Sequence, residues 1–268
     1  MKKLRMILML GTGVLAFIAV SAVSTAQSAA PAAQPPAAAV APSPGPGDAW
    51  PPAGGPNFTA PKKDGPRTIA PYFTPATSAP KAPDADGFLQ RWLLLEPIVK
   101  PNRSNTVFTG TYVRSTFSTE YFPNQFAVLP HNGDKVTVAG KELAWHALDT
   151  ANFDVKLFRF AYGLNKPTYG VIFWAVTVIN SPREMKNVRL AAGSNSASMW
   201  WLNGKEAAGL FDDRRMKMDD VVSPRLTLNK GKNVLRGAVI NGPGLSDFCV
   251  RLIDENGDPV KGITTSLE

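Results

Sequence analysis

The chain has 268 residues with a formal charge of +8, 24 prolines, 22 glycines and one cysteine. A single cysteine excludes an intramolecular disulfide, so the fold relies on an apolar core rather than covalent staples. The basic excess is spread along the chain instead of gathered on one face, which argues against a nucleic-acid-binding protein.

The first 28 residues read as an export signal. Lys2, Lys3 and Arg5 precede the apolar run "MILMLGTGVLAFIAVSAV", and "STAQSAA" offers small residues for cleavage after Ala26 or Ser28. The competing reading is an uncleaved anchor helix, near the short limit for a membrane span. Cleavage would leave no membrane span and lower the formal charge to +5 by removing those three bases.

Residues 29–86 are dominated by Pro, Ala, Gly and Ser, as in "AAPAAQPPAAAVAPSPGPG". Such a stretch cannot bury enough apolar surface to offset its ordering entropy, so a disordered, semi-rigid spacer is expected. "RTIAPYF" (67–73) is richer in apolar residues, and docking of this piece onto the following domain stays open.

From Gly87 to Glu268 the signals are mostly of strand type. "FLQRWLLLEPIV" predicts a strand ending near Pro97, and 105–130 has room for one short helix. "DKVTV" and "KELAW" flank Ala139-Gly140 as a hairpin. "YGVIFWAVTVIN" is β-branched and aromatic without polar alternation, so this strand should be buried on both faces. "NVRLAAGS", "SMWWLNG", "KEAAG", "RLTLN", "KNVLRGAVIN" and "FCVRLIDENG" follow at short intervals. Asn203-Gly204 suits a type I′ turn, and "LNKGKN" and "DENGDP" supply two more tight turns. The sum predicts an all-β sandwich over 87–268. Cys249, inside "LSDFCVRLI", reads as a buried and inert thiol.

Catalytic patterns are missing. There is no Gly-x-Ser-x-Gly, and "GSNSAS" (193–198) reads as a strand-to-strand turn. His131 and His146 have no serine or carboxylate at a telling spacing. Asp212, Asp213, Asp219 and Asp220 share "FDDRRMKMDD" with Arg214, Arg215 and Lys217, and charge pairing in a solvated loop explains them better than a glycosidase pair. Zinc ligands are too few and scattered, and no cofactor is expected. A structural calcium held by loop oxygens has no motif to support it and stays open.

Taken in order, "WLLLEP", "GKELAW", "VRLAAGSN", "WWLNGK", "LNKGKNVL" and "RLIDENGDPV" resemble the galactose-binding-like jelly-roll domains found beside glycoside hydrolases and carbohydrate esterases in secreted bacterial proteins. The likeness runs through nearly all of 87–268. One departure is Glu96-Pro97, where such domains usually carry Gly-Pro. The resemblance implies a jelly-roll sandwich and an extracellular setting. It also places the apolar residues flanking the tryptophan before Asn-Gly inward, which puts Trp200 and Leu202 in the core. Alternation then turns Trp201 to the other face, under the 210–220 loop or toward solvent.

The reading that results is a secreted, periplasmic or cell-surface protein without catalysis, which binds glycan or serves carbohydrate processing. Trp201, Arg214 and Asp219 are its candidate ligand contacts. The alternative is a structural or protein-recognition subunit of a cell-envelope assembly, and a hydrolase of unrecognised type is the third.

Overall fold

A computed structural model describes residues 67–102 and 104–268. The leader over 1–28 and the spacer from 29 to 66 lie outside the described residues. Among the described residues are two α-helices, one 3-10 turn (Asn105–Val107) and fourteen strands. The early strands are β1 (Phe73–Pro75), β2 (Arg91–Leu95), β3 (Ile98–Val99), β4 (Lys135–Val138) and β5 (Lys141–Thr150). Next come β6 (Val171–Ser181), β7 (Met185–Ser194), β8 (Ala197–Leu202), β9 (Lys205–Leu210) and β10 (Val221–Val222). The last are β11 (Leu226–Leu228), β12 (Gly231–Asn241), β13 (Phe248–Ile253) and β14 (Thr264–Ser266). Helix α1 spans Gly110–Ser118 and α2 spans Leu157–Gly163.

The large sheet runs β1-β5-β2-β6-β12-β8-β9, with β3 and β14 also on β6 and β4 on β5. The small sheet holds β10, β11 and β13 around β7. Every pairing is antiparallel. The domain is therefore an all-β, antiparallel sandwich, as its strand spacing predicts.

Strand β6 shows why its unbroken apolar run was needed. Phe173, Ala175 and Ile179 face the small sheet, in a core shared with Leu190, Val250 and Leu252. Ile172, Trp174 and Val176 point the opposite way, into a second core closed by Phe108, Val113 and Phe117 from the α1 region. Three layers result, and a strand in the middle layer has no wet face on which polar residues would be tolerated.

The hairpins follow their turn residues. Asn203 and Gly204 have φ of 50° and 78°, and Ala139 and Gly140 have φ of 47° and 76°. Both turns thus take the left-handed pair of conformations that matches strand twist. Helix α1 lies inside the stretch expected to hold one, and Thr109 caps it by accepting the Tyr112 backbone N–H. Helix α2 was not expected. Leu157, Phe160 and Ala161 form its buried stripe, and its N-cap residue Lys156 makes no side-chain capping bond.

Part of the spacer read over 29–86 is corrected by the structure, because folded chain begins before Gly87. Phe73 is buried, meets Phe160 edge to face at 6.0 Å, and opens β1 on the free edge of β5. Pro75 is tolerated there because an edge strand leaves donors unused. The backbone of Thr68 and Ile69 passes so close to Gly163 that a side chain there would meet it at about 2.5 Å. Lys81 bridges Thr265 near the C-terminus.

Candidate functional site

Paired tryptophans on β8 divide between the two cores. Trp200 is fully buried against Trp92 and Phe248, with centroids at 6.1 and 5.0 Å, and its indole N–H donates to Ser198 Oγ. Leu202 shares that core. Trp201 faces the other way and is half-buried, as alternation requires. Its ring stacks on Trp174 at 5.8 Å and meets the edge of Phe117 at 6.4 Å. The cover over Trp201 is thus α1 rather than the 210–220 loop. From that loop Phe211 reaches only the margin, where it takes the Arg114 guanidinium at 5.1 Å over its ring.

Trp201 lines a cleft of about 440 Å³ between α1, the loop that follows it, and the β8–β9 hairpin. Phe117 and Met199 continue its apolar floor, and Phe126, 42% exposed, forms one wall. Arg114 of α1 and Glu206 of β9 bridge the opposite side as a two-oxygen ion pair. The pairing shift between Trp200 and Trp201 aligns Trp200 with Ala208 but Trp201 with Glu206. That irregularity sets Glu206 directly across from the indole.

Arg236 holds the lip of the cleft. It lies on β12, is buried, and donates to the carbonyls of Phe126, Ala127 and Val128 at 3.2, 3.0 and 2.9 Å. Burial lowers its pKa from the usual arginine value. Three carbonyls in place of a carboxylate let it clamp a loop without adding a second charge to the site.

The three residues singled out from sequence do not converge. Trp201 is in the cleft. The Arg214 side chain pairs with Asp220 at 3.1 Å, and its carbonyl accepts the Ser196 N–H. Asp219 takes the Arg251 guanidinium on both carboxylate oxygens. Neither lines the cleft. Arg114, Phe126, Glu206 and Arg236 were missed. Only Arg236 left a local trace, a lone charge inside the apolar run "VLRGAVI".

The histidines sit elsewhere. His131 accompanies Asp134 on an exposed loop, its Nδ1 at 3.3 Å from the carboxylate. His146 lies 3.4 Å from Glu96, whose other oxygen pairs with Lys166 at 2.7 Å. Burial pushes the Glu96 pKa up, but Lys166, the Ala144 N–H and His146 together hold it below the usual carboxylate value. Glu96, at the position where the resembled domains carry glycine, thus ties the first turn to β5 and to the chain after α2.

A second charged group is closed to solvent. Lys156 lies between Asp154 at 2.6 Å and Asp247 at 3.3 Å, and all three are buried. Desolvation raises Asp247 to about 6, with Lys156 opposing and Asp154 adding to the rise. Cys249 is buried nearby, and desolvation pushes its thiol up to about 12, so it is not nucleophilic at neutral pH.

Among the described residues no three His, Cys, Asp or Glu side chains form a metal-holding group, and no helix is long and apolar enough to cross a membrane. No family model matches the chain, and no curated protein matches it. Among solved structures, the chain is similar to a "PA14 sugar-binding domain from RTX adhesin", with 10% identity and a TM-score of 0.40 over 66% of this chain and 99% of that one. It is also similar to the "PA14 domain of MpAFP Antifreeze protein", with 10% identity and a TM-score of 0.38 over 72% and 95%. Superpositions this loose carry no argument about ligand or activity.

Proposed function

We propose that this is a non-catalytic carbohydrate-binding protein of the periplasm or cell surface, with its binding site in the Trp201 cleft. The observation that carries the reading is the pairing of an accessible indole with the Arg114–Glu206 bridge across one cleft. A sugar ring has an apolar face of C–H groups, suited to an aromatic plane. Its rim of hydroxyls both donates and accepts, and a guanidinium facing a carboxylate offers both partners. The cleft volume falls in the ordinary small-ligand range of about 300–1,000 Å³. The Glu206 carboxylate, engaged by Arg114, is assigned to hydroxyl recognition in this reading. The export-like leader supports the location, and the order of sequence motifs supports kinship with galactose-binding-like domains.

A glycan array probed with the full chain, followed by fluorescence titration of the best hits, tests this. Trp201→Ala should weaken binding by about tenfold, the scale of one lost aromatic contact, without unfolding the protein. If no glycan binds, or if Trp201→Ala binds as tightly as the parent, the reading fails. The second reading, a protein-recognition subunit, is favoured by exposed Val128 beside Phe126, since an aliphatic side chain adds nothing to sugar stacking. Loss of a protein partner on Val128→Asp, with glycan binding absent throughout, would select it.

A further inference from the structure

Seven large apolar side chains are exposed among the described residues, and four of them lie at one end of the sandwich: Val99 at the end of β3, Val107 in a 3-10 turn, and Tyr169 and Leu245 in loops. Scattered exposure needs no explanation, but a gathering at one end does. Hydrogen bonds fasten these loops to one another. The Lys100 N–H donates to the Gly170 carbonyl at 2.7 Å, and the Gly170 N–H to the Gly242 carbonyl at 3.1 Å. The Gly242 N–H then donates to Asn105 Oδ1 at 2.9 Å, while Asn105 Nδ2 reaches the Pro243 carbonyl. Val99 pairs with Val171, which also pairs with Asn241, so the tip stands on three strands of the large sheet. Tyr169 is 57% exposed and Leu245 45%, although their backbones are held in place.

Basic side chains lie on the side of this tip nearest α2. The sequence has no Asp or Glu between Glu96 and Glu120, nor between Asp154 and Glu184, while Lys100, Arg159 and Lys166 lie in those intervals. Glu96 is buried and paired with Lys166. On the other side two exposed carboxylates reach this end: Asp212, whose backbone N–H donates to the Phe108 carbonyl at 2.7 Å, and Asp213, which accepts from Asn105 Nδ2. An aromatic strip leads away from the tip. Tyr169 meets Phe158 at 5.7 Å, Phe158 lies parallel to Tyr162 at 6.4 Å, and Arg67 sits 4.9 Å over Tyr162. The Arg159 guanidinium lies 5.8 Å from the Phe158 ring centre.

We propose that this end of the sandwich is a membrane-contacting tip, which docks on a lipid surface carrying anionic headgroups. Leu245, Val99, Val107 and Tyr169 enter the headgroup boundary, and Lys100, with Arg67 at the far end of the aromatic strip, meets lipid phosphates. Apolar projections backed by aromatic rings and basic side chains are what an interfacial docking surface requires. Aliphatic tips select a bilayer over a polysaccharide, which offers no apolar interior for Leu245 or the valines. The contact is independent of the Trp201 cleft.

Cys249 is buried and is the sole cysteine, so one engineered thiol can be labelled selectively. Full-length Leu245→Cys, carrying an environment-sensitive fluorophore, is mixed with vesicles of phosphatidylcholine alone or of phosphatidylcholine and phosphatidylglycerol in equal parts. The label should brighten with the anionic vesicles and respond weakly to the neutral ones. Label at Lys230→Cys, beyond the opposite end of β12, should not respond, and this separates tip docking from insertion of the apolar leader. Lys100→Glu in the Leu245→Cys chain should weaken partition by more than fivefold, about the effect of one basic residue near an anionic surface. An unresponsive label at 245, equal responses at both positions, or a response lost to soluble polygalacturonate would each overturn the proposal.

Discussion

Gly237 offers the sharpest test of how the sandwich is packed. It faces Trp200 directly across the β12–β8 pair, and a methyl group there would lie 2.2, 2.5 and 2.7 Å from three carbons of the indole. Comfortable carbon–carbon contact needs about 3.5–4.0 Å, so ring or strand must move by roughly an ångström or more. The ring has nowhere to go, being enclosed by Trp92 and Phe248 and bonded to Ser198 Oγ. Gly237→Ala would otherwise gain about 0.5–1 kcal/mol from reduced backbone entropy in the unfolded chain. Overpacking costs about 1–3 kcal/mol when side chains can adjust, and more when paired strands must part. The expected net loss is therefore about 2–4 kcal/mol.

Trp200→Ala alone should cost about 3–5 kcal/mol through its cavity. In that background the clash partner is gone, and Gly237→Ala should become neutral or stabilising. The two changes then couple by about 2 kcal/mol or more, far beyond the additivity expected of independent sites. Urea melts of the four proteins measure the cycle. Additive losses would show that the Trp200 ring does not lie over Gly237, and the assignment of this strand's inner face would fall.

Three further outcomes follow. Trp201→Ala should cost about 1–2 kcal/mol in the same melts, clearly less than Trp200→Ala, because its ring is only half-buried; equal losses would remove its claim to an open binding face. Arg236→Met should loosen the Phe126–Val128 lip and destabilise the domain by on the order of 2–3 kcal/mol, since three carbonyls lose a charged donor. Faster proteolysis near 126–128 checks it, and unchanged cleavage would contradict the clamp. Asp247 titrates near 6 when folded and near 3.8 otherwise, so the folded state binds its proton more tightly. Its contribution is greatest below about pH 4 and is lost as pH rises through about 6. Asp247→Asn should flatten that part of the stability–pH curve, and parallel curves for variant and parent would contradict it.

What could be read in the sequence was what repeats locally. Alternation along β8 separates Trp200 from Trp201, and Asn203-Gly204 sets the turn beside them. The apolar run of β6 announced burial on both faces. Phe73–Pro75 was hidden because its pairing partner, β5, lies some seventy residues away and its surroundings are rich in proline. Helix α2 is seven residues long, too short for a 3.6-residue period to stand out, and no side-chain capping bond marks its start. The cleft was the least legible. Arg114 and Glu206 are 92 positions apart, and Arg236 is 110 from Phe126, so no spacing rule connects them.

The same three-layer arrangement that hid the cleft also determines how it can work. Trp201 rests on Trp174, which is buried in the second core, so the floor is part of the folded interior. The Arg236 clamp fixes the lip, and the Arg114 guanidinium is seated on Phe211. Phe211 in turn lies so close to Gly209 that a methyl there would approach its ring to 2.7 Å. Each wall is therefore ordered before any ligand arrives, and little conformational entropy remains to be lost on binding. If the proposed site binds a glycan, affinity follows the contacts themselves, one indole face and one ion pair, rather than closure of a lid. On the carbohydrate reading proposed above, a rigid ring with hydroxyls at its edge suits such walls better than a ligand that needs a lid to close over it.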